Sequence, residues 1–96
     1  MNKTIRWNPE KAKQIRDNST RGGVSFEECA VVIESGNILD TIDNPSANHP
    51  NQGIYVLEIE GYAYSVPFVE GEDEIFLKTM FPSRKLTALY LGKNEP

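Results

Sequence analysis

The segment from Ile54 to Phe81 constrains the fold more than any other part of the chain, because it carries most of the large apolar side chains in a strand-like pattern. Side chains alternate between the two faces of a strand, and Glu60-Gly61 is suited to a two-residue hairpin turn. This turn predicts three facing pairs on one apolar side of a hairpin: Ile59 with Tyr62, Leu57 with Tyr64, and Tyr55 with Val66. The opposite side is predicted to be thinner and more polar.

A third antiparallel strand is predicted from Ile75 to Phe81, after a six-residue acidic connection from Val69 to Glu74. Strict alternation places two sets of side chains on opposite faces, namely Ile75, Leu77, Thr79 and Phe81 on one and Phe76, Lys78 and Met80 on the other. A three-stranded sheet needs cover on its apolar face to be stable. The rest of the chain must therefore supply helices.

Two N-terminal helices are predicted. Asn8 is a suitable N-cap and Pro9 a suitable first residue for a helix that runs to about Asp17. Ser25 and Glu28 form a capping box that starts the second helix. Its apolar stripe consists of Phe26, Cys29, Ala30 and Ile33, and Gly36 closes it. Cys29 is thus expected to be a buried, unreactive side chain.

A C-terminal helix is predicted after Pro82, with Ser83 as its N-cap and Gly92 at its end. Its expected apolar stripe is Leu86, Leu89 and Tyr90. A short strand is predicted from Asn37 to Asp43 and a loop from Asn44 to Gln52. The predicted fold class is α+β, a single domain over residues 1–96 in which a three- to four-stranded antiparallel sheet is packed by these three helices.

Charge is distributed unevenly along the chain. The net charge is −4, but residues 1–21 carry +4, residues 22–77 carry −11 without any Lys or Arg, and residues 78–96 carry +3. If the two ends meet in the fold, the protein has one basic and one acidic face, which suits an anionic ligand and a cationic partner. Chance unevenness in a small acidic protein is the alternative.

Several classes of function lack their sequence signals. No apolar run reaches the length of a membrane helix, and the polar N-terminus does not resemble a secretory signal, so a cytoplasmic protein is expected. No Cys or His cluster suggests a metal site, and no phosphate-binding glycine loop or nucleophile elbow is present. Histidine side chains in loops can be catalytic, but the single histidine, His49, has no nucleophile or carboxylate beside it in a motif.

Three motifs resemble those of the BrnT-type toxins, which belong to the RelE/ParE-like superfamily of bacterial toxin–antitoxin systems. They are Trp7-Asn8-Pro9-Glu10-Lys11, then Gly23-Val24-Ser25-Phe26-Glu27-Glu28, and finally Pro82-Ser83-Arg84-Lys85-Leu86-Thr87 with Tyr90 downstream. The resemblance spans nearly the whole chain, and the order of elements agrees. It implies a RelE-like fold and a toxin that cleaves RNA without a metal or cofactor, held inactive by an antitoxin encoded nearby, for example one of the ribbon-helix-helix type.

The resemblance also implies a set of site residues. In such cleavage the ribose 2′-OH attacks the adjacent phosphate, which requires a proton acceptor, a cation for the developing charge and an acid for the leaving oxygen. The matching positions are Lys78 and Arg84 for phosphate stabilisation and Lys11 for proton transfer or substrate positioning. Implied substrate-binding residues are Arg16, Arg21, Lys85 and Tyr90; for Tyr90, packing in the core is the alternative to stacking on a base.

The chain departs from the family where Arg21-Gly22-Gly23 replaces the usual Lys-His-Gly. A second hypothesis is therefore a catalytically inactive RelE-like fold that acts as a protein-binding module through its acidic segment or a sheet edge. A third is a small domain whose basic residues are simply solvated. A long unpaired edge strand would also allow a homodimer.

Overall fold

A computed structural model describes residues 3–17, 23–43 and 51–92. These residues form a mixed α/β structure with three helices and a six-stranded sheet. The elements in chain order are β1 (Thr4–Trp7), α1 (Pro9–Asp17), α2 (Phe26–Glu34), β2 (Ile38–Asp43), β3 (Gln52–Ile59), β4 (Tyr62–Glu70), β5 (Glu74–Leu77), β6 (Phe81–Pro82) and α3 (Arg84–Leu91).

The sheet has the strand order β1-β5-β4-β3-β2, and β6 pairs with the part of β4 that β5 does not reach. All pairs are antiparallel except β1 with β5, which is parallel. The sequence analysis predicted three to four strands, all antiparallel. It therefore underestimated the number of strands and missed the parallel pair. It missed β1 because the partner of Thr4 is Glu74, so no local turn or pattern announces the pairing.

The central hairpin has the predicted register. Ile59 pairs with Tyr62 and Leu57 with Tyr64, and the pairing continues to Gln52 with Val69. Glu60 and Gly61 have φ angles of 55° and 79°, which is the left-handed pair that a tight hairpin with the right strand twist requires. The flanking segments differ from the prediction in their bounds. Gln52, which was expected in a loop, is the first residue of β3, and the acidic connection between β4 and β5 comprises only residues 71–73. Residues 44–50, with His49, lie outside the described part.

One side of the sheet, called the first face, holds the main core. The predicted hairpin side chains meet Ile75 and Leu77 there, and α1 and α2 cover them through Ile15, Phe26 and Ile33. Trp7 stacks on Phe26 with ring centroids 5.7 Å apart. The buried positions of α2 are the four that the sequence predicted, and both hydrogen bonds of its capping box are present. The helix packing on this face is thus set by patterns that are local in sequence.

The other side, called the second face, is covered by α3. Val56 and Ala63 point to this side and are fully buried. The helix begins beside Ala63 of β4, whose N–H donates to Thr87, and reaches β2, where Tyr90 binds Asp40, the residue that pairs with Val56. Consequently α3 lies on the opposite side of the sheet from α1 and α2, whereas the sequence analysis expected helices on the apolar face and did not separate them.

The buried stripe of α3 also differs from the prediction. Thr87 is fully buried, whereas Leu89 is 68% exposed. The helix has turned so that Leu86, Thr87, Tyr90 and Leu91 face the sheet while four side chains face outward, namely Arg84, Lys85, Ala88 and Leu89. The reason is that Thr87 makes two hydrogen bonds at the edge of β4, which an aliphatic stripe could not provide. None of the three helices described is long and apolar enough to cross a membrane.

Candidate nucleic-acid interface

Two short strands, β5 and β6, pair with the edge of β4 that faces away from β3, where one strand was predicted. Leu77 pairs with Phe68, and the Lys78 N–H donates to the Pro67 carbonyl at 2.8 Å. The next pair joins Phe81 to Ser65, so three steps along this segment match two steps along β4. One extra residue is therefore inserted between β5 and β6, which is the defining property of a β-bulge.

The inserted residue changes which side chains face the core. Met80 is fully buried in the core of the first face, and Phe81 points to the second face with 41% of its surface exposed. The sequence prediction had the reverse assignment, because a shift of one residue moves every later side chain to the other side of a strand. The missed signal was Pro82, which cannot donate to a ladder and is found at strand edges and bulges.

Four exposed side chains follow one another along this edge and are called the edge strip: Lys78, Phe81, Arg84 and Lys85. From Pro67, beside Lys78, to Ala63, beside Ser83, is four residues of β4, or about 13 Å at roughly 3.3 Å per residue. Along the strip, Lys78 and then Phe81 precede the start of α3, which carries Arg84 and Lys85. Lys78 Nζ lies 3.5 Å from Gln52 Oε1.

The start of α3 is held firmly against the sheet. Ser83 N–H donates to the Ala63 carbonyl at 3.0 Å, and Ala63 N–H donates to Thr87 Oγ1 at 2.9 Å. Thr87 Oγ1 donates in turn to the Ser83 carbonyl at 2.7 Å. These three bonds satisfy the free edge of β4 and position the backbone from which Arg84 and Lys85 project.

The electrostatics of the helix start favour an anion. The first turn of α3 contains no acidic residue, and Ser83 Oγ accepts from the Leu86 N–H at 3.1 Å. Arg84 and Lys85 oppose the helix dipole there, so the local field is positive. Within the described residues neither side chain forms an ion pair, in contrast to Lys3 with Glu70 and Arg6 with Glu74. A bound phosphate group would interact favourably with the helix dipole and would reduce the repulsion between Arg84 and Lys85.

Tyr90 holds the other end of α3. Its hydroxyl donates a hydrogen bond to Asp40 Oδ2 on β2. This bond is the main cause of a raised pKa for Tyr90, with desolvation second, so the hydroxyl stays protonated at neutral pH. Tyr90 thus tethers the helix to the far strand of the sheet.

The structure divides the cations that the sequence analysis grouped together. Lys11 and Arg16 belong to α1, which packs on the first face through Ala12 and Ile15. Arg84 and Lys85 belong to α3 on the second face. The expected single patch from the two ends of the chain is therefore not formed, because α1 and α2 already fill the first face and the free edge of β4 directs α3 to the other side. Arg21 lies outside the described residues.

Cys29 has no role at a reactive site. It is fully buried under α2, as predicted, and burial raises its pKa to about 12, with a smaller contribution from Glu28. Among the residues with described positions, no group of three or more His, Cys, Asp or Glu side chains converges on a common point that would hold a metal ion.

The buried thiol predicts a pH dependence of stability. Between pH 9, the ordinary pKa of the thiol, and about pH 12 the unfolded chain loses the thiol proton while the folded chain keeps it, so stability falls as pH rises. Below pH 9 both states are protonated and this group has no effect. We expect the melting temperature of wild type to fall across this window and that of Cys29→Ala to fall less. Equal slopes for the two proteins would contradict the assignment.

Comparisons with known proteins add no relative: no family model, no curated protein and no solved structure matches this chain.

Proposed function

We propose that this chain is the toxin of a bacterial type II toxin–antitoxin system, a metal-independent endoribonuclease with a BrnT-like, RelE-like fold. The single observation that supports it best is the edge strip, which places Lys78, Phe81 and Arg84 along one sheet edge. Cations neutralise phosphates, and an exposed aromatic ring stacks on an unpaired base. The motif resemblance independently selects Lys78, Arg84 and Lys85.

The edge strip is suited to a two- or three-nucleotide segment of single-stranded RNA. Arg84 and Lys85 hold the scissile phosphate at the start of α3, and Phe81 stacks on a neighbouring base. The 2′-oxygen forms a bond to phosphorus while the bond from phosphorus to the 5′-oxygen breaks, which leaves a cyclic phosphate and a 5′-hydroxyl. Arg84 stabilises the charge that develops on the phosphate oxygens.

Proton transfers are divided between the chain and solvent. The Lys85 amino group, beside Arg84, donates a proton to the leaving 5′-oxygen, and water takes the 2′-proton. Lys78, about 13 Å further along the strip, contacts a neighbouring phosphate. Lys11 receives no role, because α1 packs on the first face. Three cations in a chain of net charge −4 bind RNA weakly, with a salt slope of only about −2. A ribosome that presents the RNA, and an antitoxin that covers the strip, complete the proposed system.

The test is cleavage of a labelled single-stranded RNA by the purified chain, in EDTA without ribosomes and in magnesium buffer with ribosomes. We expect products that end in a cyclic phosphate, and no cleavage where a 2′-deoxy sugar replaces the scissile ribose. Intact RNA under all of these conditions would remove the enzyme assignment.

A catalytically inactive protein-binding module is the second candidate function. It is favoured by two aliphatic side chains that are each 68% exposed, Val31 on α2 and Leu89 on α3. Intact RNA in the cleavage assay, together with complex formation through these side chains, would support this candidate instead.

A further inference from the structure

Three large apolar side chains are exposed in the described part of the chain, and only Phe81 belongs to the edge strip. The other two, Val31 and Leu89, lie on helices that cover opposite faces of the sheet. Val31 and Leu89 are each 68% exposed. The charged residues around Val31 are acidic, and those around Leu89 are basic. The two surfaces therefore have apolar centres of equal fractional exposure and opposite charge.

The surface around Val31 is an apolar groove with an acidic rim. Val31, Val32 and Ile59 line a depression of about 330 Å³ between α2 and the end of β3, with Glu27 and Glu28 at its border. One turn from Val31 in either direction along the outer stripe of α2 lie Glu27 and Glu34. Within the described residues neither carboxylate has a cationic partner.

The surface around Leu89 is an apolar projection with a basic border. Leu89 and Lys85 are four residues apart on the outward stripe of α3, and Arg84 and Ala88 lie beside them. This is the complement of the groove: an aliphatic side chain preceded by cations, opposite an aliphatic depression bordered by carboxylates. Matching charge at the border sets the approach and orientation of two surfaces, while the apolar centre contributes affinity.

We propose that α3 of one copy docks in the α2 groove of a second copy, with Leu89 against Val31 and Lys85 against the carboxylates of the rim. Because α2 and α3 lie on opposite faces, the contact is head-to-tail and leaves one unused groove and one unused α3 at the ends of each assembly. The contact of two short helices is small, so association is weak and favoured by low ionic strength. The inference does not depend on the proposed ribonuclease activity.

The head-to-tail geometry gives a sharp mixing experiment by sedimentation equilibrium, from micromolar to millimolar protein at low ionic strength. We expect the average mass of wild type to rise above that of the 10.8 kDa chain as concentration increases, and to fall on addition of salt. Val31→Glu removes the groove and Leu89→Glu removes the projection, so each variant alone stays monomeric. Their equimolar mixture forms dimers and nothing larger, because one complementary pair remains.

Several results would overturn the proposal: a wild type that stays monomeric throughout, single variants that associate as wild type does, or a mixture that stays monomeric. Both positions are 68% exposed, so the variants should fold, and circular dichroism verifies this. A charge exchange provides a second measurement. Lys85→Glu weakens association, and either Glu27→Lys or Glu34→Lys in the same chain restores it; the rim residue that does so reports the helix orientation. Failure of both to restore association also overturns the proposal.

Discussion

Replacing Arg84 with alanine should lower the rate of RNA cleavage by about 10²- to 10³-fold, the usual effect of removing one group that stabilises transition-state charge. Arg84 is exposed at the first position of α3, next to the Ser83 cap that binds the edge of β4. Its loss leaves these backbone contacts intact, so folding is retained. The rate is measured as single-turnover cleavage of the labelled RNA.

Two further variants make this result specific to the site. Arg84→Lys keeps the charge but not the planar pair of donors, and we expect an intermediate rate. Lys13→Ala removes an exposed cation from α1, on the other side of the sheet, and should leave the rate near that of wild type. Equal losses in Lys13→Ala and Arg84→Ala would show that net charge, and not the edge strip, determines cleavage.

Replacing Leu57 with alanine should destabilise the folded chain by about 2–5 kcal/mol. Leu57 is fully buried in the middle of β3, where it pairs with Tyr64 and contributes to the core of the first face. Its removal leaves a cavity that the surrounding strands and α2 cannot fill without losing their own contacts. A small domain has a total stability of only about 5–15 kcal/mol, so this loss is a large part of it.

Leu89→Ala is the matched control, since it is the same substitution at a position that is 68% exposed. We expect a change within about 0.5 kcal/mol when unfolding by urea is followed at a protein concentration low enough to keep the chain monomeric. If Leu57→Ala and Leu89→Ala shifted the urea midpoint equally, the burial of the two leucines described above would be wrong.

The correct parts of the sequence prediction concern contacts between residues close together in the chain. The N-cap at Asn8, the capping box of Ser25 with Glu28, and the turn at Glu60-Gly61 are all present. Each depends on backbone groups within a few residues, so the residue types at those positions suffice to specify them. The stripe of α2 is predictable for the same reason.

The errors concern contacts between residues far apart. The side of Phe81 depends on one inserted residue in a pairing with Ser65, and the buried face of α3 depends on the bond between Thr87 and Ala63. Pro82 indicates an irregular strand edge, but no local sequence pattern shows where the extra residue is inserted between β5 and β6. The sequence analysis named Lys78, Arg84 and Lys85, which follow one another along this edge, and did not name Phe81. Lys11, which it grouped with them, lies on the helix that packs on the first face.

By itself the sequence determined the caps, the central hairpin and the buried stripe of α2, because alternation and helix periodicity follow from the geometry of a single element. Only the tertiary structure decided on which side of the sheet each helix lies. Fourteen carboxylates and ten cations carry no information about that choice. The side on which α3 lies was decided by the unpaired edge of β4. The Ala63 N–H and carbonyl there needed hydrogen-bond partners, and Ser83 and Thr87 supply them when α3 lies on the second face.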